Sequence, residues 1–211
     1  MTNEASYATI PNINDNRSRR SYNRYILEYK SVVADDDEAI QSAVLLETSF
    51  AVVSFPTVIL PVHSYIGDMM ADDAPDLLVD YRLEPFEMKV QGLDRTLADK
   101  VFAICDYHLQ NKVGKHSRHI YDIYKLLPIV PQTEDYKELV REIRAARALN
   151  DICPSAQPGV NVPEMLMFLI NHEIYKEDYE SITSRILAED VPYDSAIEAV
   201  RKIAESGIFD E

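Results

Sequence analysis

The pattern of apolar and polar positions changes period near residue 92. Before it, short apolar runs alternate with polar residues; after it, apolar positions recur every three or four residues. From Ser21 the stretch SYNRYILEYKSVV places Tyr25, Leu27 and Tyr29 in alternation with Arg24, Ile26, Glu28 and Lys30, the pattern of an amphipathic strand. The nearly continuous apolar run AVLLETSFAVV from Ala43 suits a strand buried on both faces, interrupted by Glu47. A short strand follows at Val58, Ile59 and Leu60. Pro61 then opens a helix with Ile66, Met69 and Met70 on one side, which ends at the acidic turn through Asp72, Asp73 and Pro75. Leu77-Leu78-Val79 and Phe86-Glu87-Met88-Lys89-Val90 read as two further strands.

The second half is helical. Asp94 is placed to cap a helix whose Leu97, Val101, Ile104 and Cys105 share one face, and Lys100 lies at the edge of that face. A second helix starts near Ser117, with Ile120, Ile123, Tyr124 and Leu127 inward and Arg118, His119, Asp122 and Lys125 outward. The run EDYKELVREIRAARALN is an amphipathic helix, and a linker rich in Pro and Gly leads to later helices that start at Pro163 and Pro192 and stop at Gly207. The segment Met165 to Ile170 belongs to a bundle core. These patterns predict an α+β fold: a mixed sheet of about four or five strands in the N-terminal half, then a helical half. They divide the chain into a mobile arm over 1–20, a core over 21–131 and a helical region over 132–211.

The chain has 211 residues and a net charge of −15, which argues against broad binding to nucleic acid, since neutralising phosphates needs a surplus of Lys and Arg. Arg17, Arg19, Arg20 and Arg24 form the one dense basic patch. No apolar stretch is long enough for a bilayer, the first residues are too polar for a signal peptide, and the two cysteines form no metal-ligand motif. The expectation is a cytoplasmic protein.

Two residue groups carry candidate chemistry. The acidic run Asp35, Asp36, Asp37 and Glu38 lacks the spaced ligands and glycine of a calcium loop and reads as a strand connection. Arg118, Asp122 and Lys125, at i,i+4 and i,i+3, fit a solvated charge ladder contributing roughly 0.2–0.5 kcal/mol per pair. Glu47 either points to the solvated side of its sheet with Leu45 and Ser49, or sits in an apolar setting where a carboxylate needs a partner. Cys105 and His108 project from one helix and cannot face each other as nucleophile and base. GxSxG, HExxH, P-loop and GxGxxG motifs are absent from the sequence.

The order RTLADK, apolar helix, short basic loop and RHIYDIYKLL, within Asp94 to Pro128, resembles the C-terminal signature of the AbiEii-type nucleotidyltransferase toxins. In that family a helix opening with Arg-Thr-Leu and a Lys precedes Arg-Asp-x-x-Asp-Leu. Arg95, Lys100, Arg118 and Asp122 match by position, while His119 stands where the family has an acid. The resemblance implies Lys100 as the cation facing a triphosphate, Asp122 and Glu47 as carboxylates of the catalytic machinery, and Arg95, Arg118 and His119 as substrate-binding residues.

The family's Gly-Gly-Thr loop and Ser-x-Asp-x-Asp motif are not found, and none of the five glycines adjoins another. No metal-binding residue is therefore assigned. Mg²⁺ and an NTP are expected only if the missing half of the site is supplied, and the chain alone is expected to be inactive. The implied partners are a cognate antitoxin or a separately encoded N-terminal half, with a homo-oligomer also open. The alternative is a non-catalytic interaction or oligomerisation protein derived from this fold, pairing through a sheet edge.

Overall fold

The computed structural model describes residues 8–11, 22–28, 43–49 and 56–210. They fall in two compact units, Met1–Ser54 and Phe55–Glu211. In the first, strands β1 (Ala8–Pro11), β2 (Tyr22–Glu28) and β3 (Ala43–Ser49) pair antiparallel in the order β1-β2-β3. The register sets Ile26 opposite both Ile10 and Leu45, and Arg24 opposite Glu47. β1 thus lies inside the stretch expected as an arm. The Arg17, Arg19 and Arg20 cluster and the acidic run at 35–38 lie outside the described residues.

β3 is not buried on both faces. Val44 is 55%, Leu45 43% and Leu46 52% exposed, so among the described residues neither face of β3 is covered by another layer. Its apolar composition alone did not report that missing cover.

In the second unit β4 (Thr57–Val62) pairs antiparallel with β5 (Phe86–Gln91), and α1 (Tyr65–Met70) and α2 (Pro75–Asp80) occupy the connection. Five strands are present among the described residues, as expected, but in two antiparallel sheets and not one mixed sheet. Two local readings are corrected. Pro61 lies in β4 opposite Glu87, and helix α1 begins later, where Ser64 Oγ accepts from the Gly67 N–H at 3.0 Å. Leu77, Leu78 and Val79 lie in helix α2, not a strand: Pro75 in its first turn presets a helical φ, which a three-residue apolar run cannot override.

The remaining helices are α3 (Leu93–Leu109), α4 (Arg118–Leu126), α5 (Glu134–Ala148), α6 (Val162–Asn171), α7 (Lys176–Asp178), α8 (Ser184–Ile186) and α9 (Tyr193–Glu205). A π-helical turn, Tyr179–Thr183, joins α7 to α8. α3 is central: Leu97, Ala98, Val101, Phe102 and Cys105 are fully buried. α4 packs against α3 and α9, α5 against α3, and α6 against α9. Each Leu or Ile so buried contributes about 1.5–3 kcal/mol. Burial also holds the Cys105 thiol far above its ordinary pKa, so it is inert packing.

The helix ends follow local chemistry. α3 starts one residue before Asp94, with Gly92 as its cap, and the Asp94 carboxylate accepts from the adjacent Arg95 N–H at 2.7 Å. Thr133 caps α5 through the Tyr136 N–H at 3.3 Å, and Asn161 caps α6 through that of Glu164 at 3.1 Å. Gly207, at φ 73°, follows α9, which starts after Pro192. Among the described residues no helix is long and apolar enough to cross a membrane.

Candidate functional site

α3 carries two polar clusters on different turns. The first locks it to its neighbours. Arg95, 4% exposed, donates from Nε to Asp99 Oδ2 at 2.9 Å, and the same oxygen accepts from Gln91 Nε2 on β5 at 3.1 Å. Arg147 on α5 donates to Asp99 at 2.9 Å and to Asp106 at 2.7 Å, and the other Asp106 oxygen accepts from the Ser155 N–H at 2.7 Å. The Arg147 guanidinium also lies 5.3 Å from the Phe102 ring centre. This network ties β5, α3 and α5 together.

The second cluster faces α4. Lys100 Nζ lies 2.8 Å from Asp122 Oδ2 and 3.3 Å from His119 Nδ1, and that nitrogen is 3.4 Å from the same carboxylate oxygen. Burial raises the Asp122 pKa, but the bonds from His119 and Lys100 outweigh it and hold the carboxyl below its usual range. Burial lowers the His119 pKa; the Asp122 bond opposes this, but the nearby Lys100 charge adds to it, and the ring is neutral at pH 7. In the neutral ring Nδ1 serves one partner at a time: protonated it donates to Asp122, and unprotonated it accepts from the Lys100 ammonium. Lys100 and Asp122 are each about one third exposed, at 28% and 33%, so the ammonium is held in place yet open to an anion.

Aromatic rings complete this face. His116, in the loop before α4, stacks on Tyr107 of α3 with ring centres 3.6 Å apart. His119 lies parallel to Tyr107 at 5.7 Å. Burial lowers the His116 pKa, with the His119 and Arg118 charges adding to the effect.

The structure therefore brings Lys100, His119 and Asp122 together. Arg118 is exposed at the start of α4, while Arg95 belongs to the other cluster. Glu47 lies in the first unit, 53% exposed and 3.7 Å from Arg24. Two expectations for α4 change. His119 is not on the outer side: it is 8% exposed, since its ring lies against α3. The charge ladder along α4 is replaced by bonds that leave the helix, Asp122 to Lys100 and Lys125 to Glu189 at 2.7 Å. Tyr107, His116 and Arg147 had no separate signal in the sequence, because each gains its role from a residue on another element.

An α+β frame with a lysine on one helix held by a carboxylate and a histidine on the next is suited to holding an anionic substrate at a fixed cation. Residues 3–205 match the family described as nucleotidyl transferase AbiEii toxin, type IV toxin–antitoxin system, and the chain belongs to that family. Comparison with curated proteins and with solved structures returns no match.

Nucleotidyltransferases of this kind generally act on an NTP with a divalent metal. The described residues do not fit the metal: among them no group of three or more His, Cys, Asp or Glu side chains is arranged around a common point. Asp122 is engaged by Lys100, and Asp99 and Asp106 by Arg147.

Proposed function

We propose that this chain is the toxin-side, nucleotidyltransferase-like component of a toxin–antitoxin pair, and that the face between α3 and α4 holds the triphosphate of an NTP. The observation that carries the reading is the position of Lys100, a cation fixed 2.8 Å from Asp122 and 3.3 Å from His119 while still open to solvent. A pre-positioned ammonium stabilises charge on a phosphate without reorganising during the reaction. Asp122 and His119 orient it, and Arg118, exposed one residue before His119, adds a second cation. Arg95 acts in this reading by fixing α3 through Asp99.

The absence of a Gly-Gly or Gly-Ser pair from the sequence supports a further part of the proposal. A separately encoded polypeptide supplies the metal-binding half, the isolated chain is inactive, and an antitoxin is the cognate partner. The test is thermal stabilisation by Mg²⁺ with an equimolar mixture of the four NTPs. A ligand at about one hundred times its Kd adds about 2.7 kcal/mol of stability. The wild type is expected to gain Tm and Lys100→Ala to lose the gain; an unshifted wild type refutes the nucleotide site.

A second reading, a non-catalytic interaction or oligomerisation protein, is favoured by one observation. The β4–β5 pair exposes Ile59 at 64%, Phe86 at 60% and Met88 at 50%. A concentration-dependent mass by light scattering that is abolished by Ile59→Lys would support it, and a monomer at all concentrations would remove it.

A further inference from the structure

The loop between α3 and α4 leads into the candidate site, and its backbone is held by a residue 61 and 63 positions away from the two amides it binds. Asp178, the last residue of α7, accepts from the Lys115 N–H at 2.6 Å through Oδ1 and from the Ser117 N–H at 3.0 Å through Oδ2. Lys115 has φ 69°, a left-handed conformation that a lysine adopts only when its surroundings impose it. The bond to its own N–H is the constraint visible at that point.

The next residues continue the connection. His116 places its ring 3.6 Å from Tyr107, and Ser117 bonds through Oγ to Thr183 Oγ1 at 2.7 Å, a buried pair. Thr183 ends the π-helical turn that begins directly after Asp178. Such turns concentrate where a chain must re-aim side chains for function. Here the turn lets the carboxylate and the threonine hydroxyl both meet the entrance of α4. Arg118 and His119 follow at once, so the position of the Asp178 carboxylate sets where α4 begins and how far His119 reaches toward Lys100.

We infer that Asp178 is a positioning residue for the site between α3 and α4: by clamping the Lys115 and Ser117 amides it fixes the His116–Tyr107 stack and aligns His119 with Lys100 and Asp122. The inference rests on the proposed nucleotide site for its functional consequence, but its structural part stands apart from it. The sequence pattern does not single out Asp178, which lies in an ordinary acidic stretch, KEDYE. Burial raises its pKa, yet the amide bonds from Lys115 and Ser117 outweigh this and keep the carboxyl ionised at neutral pH.

The experiment uses the full chain labelled with ¹⁵N. The side-chain titrations of His116 and His119 are followed by NMR, and the half-saturating concentration of the four-NTP mixture with Mg²⁺ is measured on the same samples. Three variants are compared: Asp178→Asn, the milder Asp178→Glu, and Ile143→Ala, which lowers stability from the core of α5 without touching the loop. Asp178→Asn, or Asp178→Glu should the first not fold, is expected to shift the His119 titration and to raise the half-saturating concentration at least fivefold. Ile143→Ala is expected to lower Tm and leave both unchanged.

Unchanged His119 titrations in both Asp178 variants overturn the inference, as does an equal shift in Ile143→Ala. If the wild type binds no NTP, the nucleotide reading fails, while the His119 titration still decides whether Asp178 positions the site.

Discussion

Replacing Arg147 by Met tests what holds α5 to α3. Met keeps most of the apolar stem beside Phe102 but removes two donors, at 2.9 Å to Asp99 and 2.7 Å to Asp106. The side chains are 16%, 21% and 7% exposed for Arg147, Asp99 and Asp106, so screening by water is weak, most of all at Asp106. Breaking a buried pair by removing one partner costs about 3–5 kcal/mol, because a charge is left behind. Two features place this case at the low end. Asp99 keeps Arg95 and Gln91, and Asp106 keeps the Ser155 N–H. Arg147 Nε is itself buried without a hydrogen bond, a cost that Met removes. The expected loss is about 3 kcal/mol, measured by urea unfolding, with a fall in Tm of roughly 6–12 °C. Arg147→Met with Asp106→Asn is expected to recover at least about 1 kcal/mol, since the amide oxygen still accepts from Ser155 without leaving a buried charge. A loss below about 1 kcal/mol in the single variant would refute the account and place these pairs with ordinary surface ion pairs.

The other predictions concern the site and the helix ends. His119 has a folded pKa below its unfolded value of about 6.5, so the unfolded chain takes up a proton first as the pH falls. Its contribution is fully present above about pH 6.5 and is lost as the pH drops through the depressed folded value. Urea midpoints between about pH 5 and 7.5 should therefore rise with pH, and His119→Gln should flatten that rise in part, His116 contributing with the same sign; an unchanged slope would contradict the neutral ring. Asp122 has a lowered folded pKa, so its contribution is present above its unfolded value of about 4 and lost as the pH falls further. Asp122→Asn should make the acid limb shallower. Gly207→Ala, at φ 73° and with the new methyl 3.3 Å from Asp210, should cost about 1 kcal/mol or more by urea unfolding, and a neutral result would mean that the turn after α9 relaxes freely.

The sequence was most informative where one element's own period decides burial. Leu97, Val101, Ile104 and Cys105 were legible as the buried face of α3, and Ile120 and Ile123 as that of α4, because helical spacing alone puts them on one side. The order of Arg95, Lys100, Arg118 and Asp122 also sufficed to indicate the family to which residues 3–205 belong. Short apolar runs were less legible. Leu77-Leu78-Val79 has no period long enough to choose helix or strand, and the exposure of β3 depends on what lies against it.

The polar chemistry was decided by the tertiary structure. Asp122 has two charged neighbours on its own helix, Arg118 and Lys125, yet its ion pair with a lysine is to Lys100, on another helix. His119 has a surface pattern, yet the Tyr107 ring on α3 covers it. Asp178 is one acid in an acidic stretch, distinguished only because the chain returns it to the amides of Lys115 and Ser117. The physical reason is range: apolar burial follows from a residue's own helix face, whereas hydrogen bonds and ion pairs are satisfied within about 3 Å by whichever group the fold brings there. The sequence by itself determined the apolar faces of α3 and α4 and the family; only the tertiary structure decided which charges meet.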